Sequence, residues 1–420
     1  MTGFALFSLF FGAGNLILPP SLGVKSGMDW WIVVIGFSLT AVVIPIFAIY
    51  AHSRLQGTLF DFGKRVSSTF STVFCVLIYI ISVSIPSPRT AAVTHEMAVQ
   101  PNWEISPLVT SIIYFSLVFI FAINRSKIIS IIGKYLTPII VLIIIAIVVK
   151  AILLDTSEFN PSEFEVPFVD GFLEGYQTFD AIGGVVVGAV IIISLNLRGY
   201  TSYEAKKELI TKSGFIAGGG LLLMYGGLIA SGAVLSESFS KFSTRTDVLI
   251  NLSNETLGNV GTTFLSVLVA LACFTTGVGI VTGTADYVKG LFNDSKTAYT
   301  ITALVGCILG VVIGQFDVHY IIVVALPVLM FIYPITVVLI ILNVLGDKWR
   351  SQLVFRGTVL VAFVFSIPDF LGFLVEPGTL DGIQNMIPLS KHHMGWVLPT
   401  ILTFVLLNFK TFTTKPQEAN

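Results

Sequence analysis

Apolar runs long enough to cross a bilayer recur along the whole chain, and they constrain the fold more than any other feature. A membrane-spanning helix needs about 20 mostly apolar residues, and about twelve runs approach that length. Only 11% of the 420 residues are charged, whereas a soluble domain has about 25%. We therefore predict an all-α integral membrane protein with about twelve transmembrane helices. The runs lie at 3–24, 30–51, 66–92, 108–123, 129–153, 172–195, 214–235, 261–288, 298–313, 320–345, 353–375 and 393–409.

The distribution of basic residues predicts the orientation of these spans. Most lysines and arginines fall in alternate connections, after the second, fourth, sixth, eighth and tenth runs and at the C-terminus. The opposite side is acidic, most clearly at 154–171. Because cytoplasmic loops of membrane proteins are enriched in lysine and arginine, we predict that both termini are cytoplasmic. An even number of spans agrees with that assignment.

Composition and motifs argue against several other classes of function. The net charge of -1 gives no support for a nucleic-acid partner. No hydrolase, metalloprotease or nucleotide-binding motif is present, so we do not expect an enzyme or a cofactor. Cys75, Cys273 and Cys307 are predicted to be buried free thiols. The first run resembles a retained helix rather than a signal peptide, and because it starts abruptly at Met1 we expect a short segment to precede it.

The first run is interrupted near its centre by Gly12, Gly14 and Asn15, and Pro19 and Pro20 follow. Glycine costs a helix interior about 1 kcal/mol relative to alanine, and proline about 3 kcal/mol. We therefore predict that the helix breaks between Gly12 and Asn15. Unwound backbone at membrane depth is tolerated where it lines a cavity, as in the binding sites of transporters. The alternative is a structural helix with a proline kink.

The sixth run contains the pair Gly183-Gly184 and is predicted to be broken as well. The polar loop at 154–171 leaves five runs before it, so a second group of five would be inverted relative to the first. Inverted repeats with broken helices in matching positions are a known transporter plan. We predict a first repeat in 1–153, a second repeat in 154–345, and two further spans with a cytoplasmic tail in 346–420.

Two broken helices would suit a zwitterionic ligand. The start of a half-helix favours a carboxylate, and its end favours a cation or an ammonium group. Asp180 either meets such a cation or lies near the outer surface, and the sequence leaves both open. Thr275 and Thr276 either supply oxygen ligands or, as we favour from the sequence alone, bond back to carbonyls one turn earlier.

Arg89 follows two prolines at the predicted outer end of the third span. It would form part of a gate there, pairing with an outer carboxylate such as Asp317 or Asp369. The alternative, which we slightly favour, is an interfacial arginine whose charged head reaches water.

These motifs resemble those of one transporter family. The segment FSLFFGAGNLILPP at 7–20 is similar to the first-helix signature of the bacterial branched-chain amino acid:cation symporters, although members usually have Phe where this chain has Leu18. Similar stretches are PRTA at 88–91, GYQTFD at 175–180 and YP at 333–334. The resemblance extends over essentially the whole chain. It implies the five-plus-five inverted repeat of the leucine-transporter superfamily.

The resemblance also implies a function and a site. The function is uptake of leucine, isoleucine and valine with sodium as the coupling ion, across the bacterial cytoplasmic membrane. The expected substrate-binding residues are Phe11, Gly12, Ala13, Gly14, Asn15, Phe179, Asp180, Gly183 and Gly184. The expected sodium ligands are Asn15, the carbonyls of Ser8 and Phe11, and the hydroxyls of Thr275 and Thr276.

Two other functions stay open at this point. One is a proton-coupled or exchange transporter of another small neutral amino acid, which cation substitution would distinguish. The other is an ion channel, but selectivity filters are built from repeated carbonyl rings on a pore axis, and no such repeat is visible.

Overall fold

A computed structural model of the chain describes residues 3, 6–7, 10–12, 15–124, 127–153, 159–197, 199–200, 202–239, 244–376 and 378–409. Within these ranges the regular structure is helical and contains no strand. The first part of the chain forms α1 (Leu18–Ser26), α2 (Trp30–Ser38), α3 (Ile44–Leu55), α4 (Leu59–Gly63), α5 (Ser68–Ser84), α6 (Pro86–Thr94), α7 (Pro107–Asn124) and α8 (Lys127–Leu153). The rest forms α9 (Pro167–Glu174), α10 (Asp180–Leu197), α11 (Tyr203–Val234), α12 (Arg245–Leu291), α13 (Lys296–Gly314), α14 (Val318–Val344), α15 (Gln352–Leu371), α16 (Asp381–Met386) and α17 (Val397–Leu407).

The all-α membrane architecture predicted from the sequence is confirmed. In the described part of the chain, 9 helical stretches are long and apolar enough to cross a membrane. The 9 helical stretches are fewer than the about twelve predicted spans because only unbroken helices near the spanning length are counted. Leu18–Leu55 joins most of the first two runs into one stretch, the sixth run is broken, and Val397–Leu407 has 11 residues. The three cysteines are buried and form no disulfide among the described residues, as predicted.

Both predicted helix breaks are present. Phe11 and Gly12 are not helical, and α1 starts only at Leu18. In the sixth run, α9 ends at Glu174, a 3-10 turn covers Gly175–Thr178, and α10 begins at Asp180.

The position of the second break differs from the prediction. Gly183 and Gly184 lie inside α10, and the chain changes direction at Phe179, whose φ of 59° is left-handed. A buried helix tolerates glycine at a cost of about 1 kcal/mol per residue, so a glycine pair alone does not end it. The polar loop before the break is also shorter than predicted, because α9 already begins at Pro167.

Contacts divide the described residues into two compact units. The first is drawn from Met1–Val42, Leu77–Phe179 and Ser213–Val323, and the second from Val43–Val76, Asp180–Lys212 and Val324–Asn420.

In the first unit, α9 packs closely against α2. A Cβ atom on Gly36 would lie 2.0 Å from the Phe168 carbonyl oxygen, and one on Gly171 would lie 2.4 Å from the Val33 carbonyl oxygen. Small residues allow this approach, as is common between membrane helices. The hydroxyl of Thr40 then donates to the Phe172 carbonyl at 2.8 Å. The first half of the sixth span is therefore held tightly against the second span.

In the second unit, α10 is held against α3 by His52. Its Nε2 lies 2.7 Å from the Val185 carbonyl oxygen and its Nδ1 lies 3.2 Å from the Gly57 carbonyl oxygen. A Cβ atom on Gly188 would lie 2.1 Å from the imidazole ring. The absence of a side chain at Gly188 therefore makes room for the ring.

Several irregular turns interrupt the long helices. π-helical segments cover Leu39–Val43 and His95–Val99, a feature that often accompanies functional sites. Gly258 kinks α12, since its φ of 71° and ψ of 178° are not helical. Pro327 and Pro334 lie inside α14, where a kink was predicted from the sequence.

Candidate functional site

Arg89 connects the two helix breaks within the first unit. Its Nη1 donates to the Gln177 carbonyl at 2.7 Å, and its Nη2 donates to the side-chain oxygen of Asn15 at 3.3 Å. The guanidinium carbon lies 5.4 Å from the centre of the Phe179 ring, within the range of a cation–π contact. One side chain therefore contacts residues of both interrupted helices.

This position corrects the interpretation of Arg89 as an interfacial residue. The side chain is only 3% exposed, and the residues from Ser87 to Val93 are all buried. The reason is the backbone at Ile85, where φ of -121° and ψ of -69° separate α5 from α6. The proline that follows starts a new helix, and α6 carries Arg89 into the protein interior instead of out to water.

The first break is stabilised by hydrogen bonds to the carbonyl of Phe10. This oxygen accepts from the Gly12 N–H at 2.8 Å, from the Asn15 side-chain amide at 3.4 Å, and from the Tyr225 hydroxyl at 3.5 Å. The Asn15 N–H donates to the Gly12 carbonyl at 3.0 Å. Asn15 therefore supports the unwound backbone with its amide group, while its side-chain oxygen accepts from Arg89.

The second break contains a buried polar group that lacks a partner. The Thr178 hydroxyl donates to the Gly175 carbonyl at 2.8 Å, and the Phe179 N–H donates to the Tyr176 carbonyl at 3.1 Å. The side-chain oxygen of Gln177 is buried without a hydrogen-bond partner among the described residues. Such an atom costs about 1–3 kcal/mol, and a bound ligand or water is a common explanation.

The start of α1 adds positive electrostatic potential at the first break. Pro19 and Pro20 occupy its first turn, and Ile17 provides no side-chain cap. Proline suits this turn because the N–H groups there have no partner inside the helix. The positive end of the helix dipole is therefore directed at the unwound segment.

Together these groups fit a zwitterion with an apolar side chain. Arg89 and the start of α1 favour a carboxylate, and the Gln177 side-chain oxygen can accept from an ammonium group. Phe11 and Phe179 supply apolar surface, and a Cβ atom on Gly12 would meet no atom of the described residues within 4 Å. Among the described residues, the backbone of the break thus has free space beside it.

The predicted site residues are distributed over both units. Phe11, Gly12, Asn15 and Phe179 lie at the breaks of the first unit, as predicted. Ser8, Ala13 and Gly14 lie outside the described residues. Asp180, Gly183 and Gly184 belong to the second unit. Asp180 is only 6% exposed and begins α10 next to the break.

Thr275 and Thr276 adopt the local arrangement that the sequence favoured. Their hydroxyls donate to the Ala272 carbonyl at 2.9 and 3.0 Å, and none of the hydrogen bonds described for them involves Phe11 or Asn15. Each hydroxyl oxygen still has lone pairs, so the arrangement is compatible with a cation ligand. In the described part of the chain, no group of three or more His, Cys, Asp or Glu side chains surrounds a potential metal position.

Sequence reasoning missed Gln177 and Tyr225 as site residues and assigned Arg89 to the wrong place. The signal for Gln177 was available, because it lies within the quoted GYQTFD stretch. Tyr225 lies in a glycine-rich part of α11 with no local motif, so only the three-dimensional fold brings it to the Phe10 carbonyl.

A separate cavity of about 410 Å³ lies elsewhere in the first unit. Glu96 lines it and accepts from the Val318 N–H at 2.7 Å and from the Thr246 hydroxyl at 2.5 Å. The site at the breaks therefore rests on the contacts of Arg89 and not on this cavity. The residues that line this separate cavity are Ala92, His95, Glu96, Gln100, Trp103, Glu104, Ile105, Pro107, Gly314, Phe316 and Asp317.

Comparison with known families identifies the chain. The profile of the family described as "Branched-chain amino acid transport protein" matches residues 1–413. The chain belongs to this family. It is 30% identical to the branched-chain amino acid transport system 2 carrier protein of Pseudomonas aeruginosa, over 99% of this chain and 97% of that protein. It is 32% identical to the branched-chain amino acid permease BraB of Bacillus subtilis, over 96% and 93% of the two chains.

Solved structures support the fold of this family member. The inward-facing conformation of Mhp1 matches with a TM-score of 0.60 and 11% identity, over 98% of this chain and 91% of that chain. A mutant form of the Eremococcus coleocola manganese transporter matches with a TM-score of 0.58 and 14% identity, over 98% and 94%. At these identities the likeness shows the fold alone. The family relatives are named as a carrier and a permease, so this chain is a multi-pass membrane transporter and not an enzyme.

Proposed function

We propose that the protein imports leucine, isoleucine and valine across the bacterial cytoplasmic membrane by sodium-coupled alternating access. The observation that carries the proposal is the contact of the buried Arg89 guanidinium with both helix breaks. The names of the relatives support the substrate class, and the family resemblance supports the coupling ion. Both termini are cytoplasmic in this proposal, and spans one to five and six to ten form the inverted repeats.

The substrate carboxylate binds Arg89 and the start of α1. Its ammonium group donates to the unpaired side-chain oxygen of Gln177. The branched apolar side chain packs against Phe11 and Phe179. Burial of a leucine-sized side chain is worth about 1.5–3 kcal/mol, which favours branched substrates over alanine or glycine.

Sodium is the second cargo. Its proposed ligands are neutral oxygens: the carbonyls of Ser8 and Phe11, the Asn15 side chain, and the Thr275 and Thr276 hydroxyls. Hard cations are bound by oxygen ligands, and these include carbonyl, hydroxyl and amide oxygens as well as carboxylates. Because ligands from separate helices meet only when the first break is ordered, sodium binding would stabilise the substrate-binding conformation.

We expect leucine uptake into proteoliposomes to require an inward sodium gradient. Initial rates of radiolabelled leucine uptake are compared with sodium, potassium or lithium outside, at equal pH on both sides. Isoleucine and valine should compete, whereas lysine and glutamate should not. Uptake that ignores sodium and follows an imposed proton gradient would refute the sodium coupling and support the proton-coupled alternative.

The Thr275→Val and Thr276→Val variants test the sodium ligands. Each loses one hydroxyl oxygen at nearly unchanged volume, and we expect the sodium concentration for half-maximal uptake to rise about tenfold, equivalent to about 1.4 kcal/mol. Thr300→Val is the matched control, since the exposed Thr300 hydroxyl also donates to a helix carbonyl, that of Lys296 at 3.1 Å. An unchanged sodium requirement in both variants would remove these residues from the site.

A further inference from the structure

Six basic residues converge at one end of the second unit, and we call them the basic patch: Arg54, Lys64, Arg65, Lys348, Arg350 and Arg356. They come from the end of α3, the connection between α4 and α5, and the connection between α14 and α15. These segments adjoin the ends of helices that are long and apolar enough to cross a membrane, so we expect them near the level of the lipid headgroups. The patch is therefore in position to meet the membrane surface.

Hydrogen bonds join these segments into one surface. Arg65 donates to the Arg350 carbonyl at 2.8 Å, and Arg54 donates to the Leu345 carbonyl at 2.6 Å. Arg356 donates to the Val66 carbonyl at 2.8 Å. Arg54, Arg65 and Arg356 thus each bond the backbone of a neighbouring segment, and these bonds fix their positions without neutralising their charge.

Only one carboxylate is described in contact with the arginines of the patch. Asp347 accepts from Arg350 at 2.6 Å and lies 3.9 Å from Arg65. Arg350 lowers the pKa of Asp347, whereas burial and the charge of Arg350 lower the pKa of Arg65. Asp61 of the nearby α4 is engaged with Thr58. Positive charge is therefore in excess.

Two further observations indicate an anionic ligand. Arg350 is only 8% exposed, and its Nη1 is buried without a hydrogen-bond partner among the described residues. Helices α5 and α15 both begin at the patch, and neither has an acidic residue in its first turn. Helix starts repel cations and attract anions, so this arrangement is unfavourable until an anion binds.

We propose that the basic patch binds the phosphate headgroup of an anionic phospholipid. The exposed Lys64 and Lys348 contact the phosphate from solvent, and Arg350 supplies the inner donor. The acyl chains lie along the adjoining transmembrane helices. A lipid places its phosphate on the basic patch and its acyl chains on the apolar helices at the same time. A free phosphate ion would contact only the basic patch.

The test is native mass spectrometry of the purified full chain with phosphatidylglycerol or phosphatidylcholine. Each lysine near a headgroup contributes about 1 kcal/mol, so the double variant Lys64→Gln/Lys348→Gln should weaken phosphatidylglycerol binding about 30-fold, and each single variant about fivefold. The matched control is Lys212→Gln/Lys296→Gln, which removes two exposed lysines from the same predicted side of the membrane. It should change binding less than twofold.

Three results would overturn the proposal. One is equal binding of the two lipids by the unmodified protein. A second is an equal loss in the control double variant, since that would indicate a general charge effect. A third is complete displacement of phosphatidylglycerol by millimolar inorganic phosphate, which would identify a site for free anions. The substituted lysines are exposed, and an unchanged melting temperature in detergent verifies that each variant is folded.

Discussion

Arg89→Gln is expected to reduce leucine uptake at least about 100-fold. The substitution removes a charged donor that contacts the Gln177 carbonyl and the Asn15 side chain. A hydrogen bond to a charged group is worth about 1.5–3 kcal/mol, so loss of two such bonds is sufficient for this effect. The proposed substrate carboxylate loses its partner at the same time. Initial uptake rates in proteoliposomes, normalised to inserted protein, measure the result.

Two further variants separate recognition from folding. Arg89→Lys retains the charge but not the planar fork, and it should also transport poorly, since lysine cannot span both partners. Glu174→Gln/Arg245→Gln is the control, because it removes a bidentate pair of 2.7 and 2.9 Å next to the same break. It should lower the melting temperature and leave the half-saturating leucine concentration nearly unchanged. Wild-type uptake by Arg89→Gln would exclude the proposed role.

Gly12→Val is expected to reduce leucine uptake about 10–200-fold while leaving the fold intact. Because a Cβ atom at Gly12 would meet none of the residues that the structure describes within 4 Å, we expect the new side chain to fit the protein but to fill the space beside the break. A substrate that is one or two methyl groups too large for its pocket is handled about 10–200-fold less efficiently, and the proposed cargo-binding backbone would be covered as well. Leucine uptake and the melting temperature in detergent are measured together.

The matched comparison is Gly23→Val in α1. A Cβ atom there would lie 1.9 Å from the Ile229 carbonyl oxygen, and the facing Gly232 approaches the Pro20 carbonyl in the same way. Overpacking of such a contact costs about 1–3 kcal/mol or more, so this variant should be unstable or fail to insert. Normal uptake by Gly12→Val, or equal loss of stability in both variants, would contradict the assignment of free space to the site.

The sequence was sufficient to predict the class of fold and the presence of two broken helices. Apolar runs and the positions of Gly12, Asn15, Pro19 and Pro20 specify the first break, because local backbone preferences decide it. The second break was placed too far along the chain. The pair Gly183-Gly184 is a strong sequence signal for a helix break. Phe179, where the chain turns with a left-handed backbone, is a residue type that does not indicate such a conformation.

The residues of the site were less predictable than its backbone. Arg89 lies next to prolines near a predicted helix end, where an arginine usually reaches water. Its burial depends on the angle between α5 and α6, and the sequence around Ile85 does not determine that angle. Tyr225 contacts the Phe10 carbonyl across 215 positions of the chain. Periodicity and motifs describe neighbours along the sequence, so long-range contacts of this kind are accessible only from the structure.

The two prolines at the start of α1 separate the electrostatic part of anion binding from its hydrogen-bonding part. A helix start normally offers four free N–H groups, which here belong to Ile17, Leu18, Pro19 and Pro20. Because the two prolines have no N–H, only Ile17 and Leu18 retain a donor. The dipole is undiminished, yet few donors remain to hold water or a competing anion in one geometry. In the proposed site, selectivity for a carboxylate over chloride or phosphate would therefore depend on the guanidinium fork of Arg89 rather than on the helix.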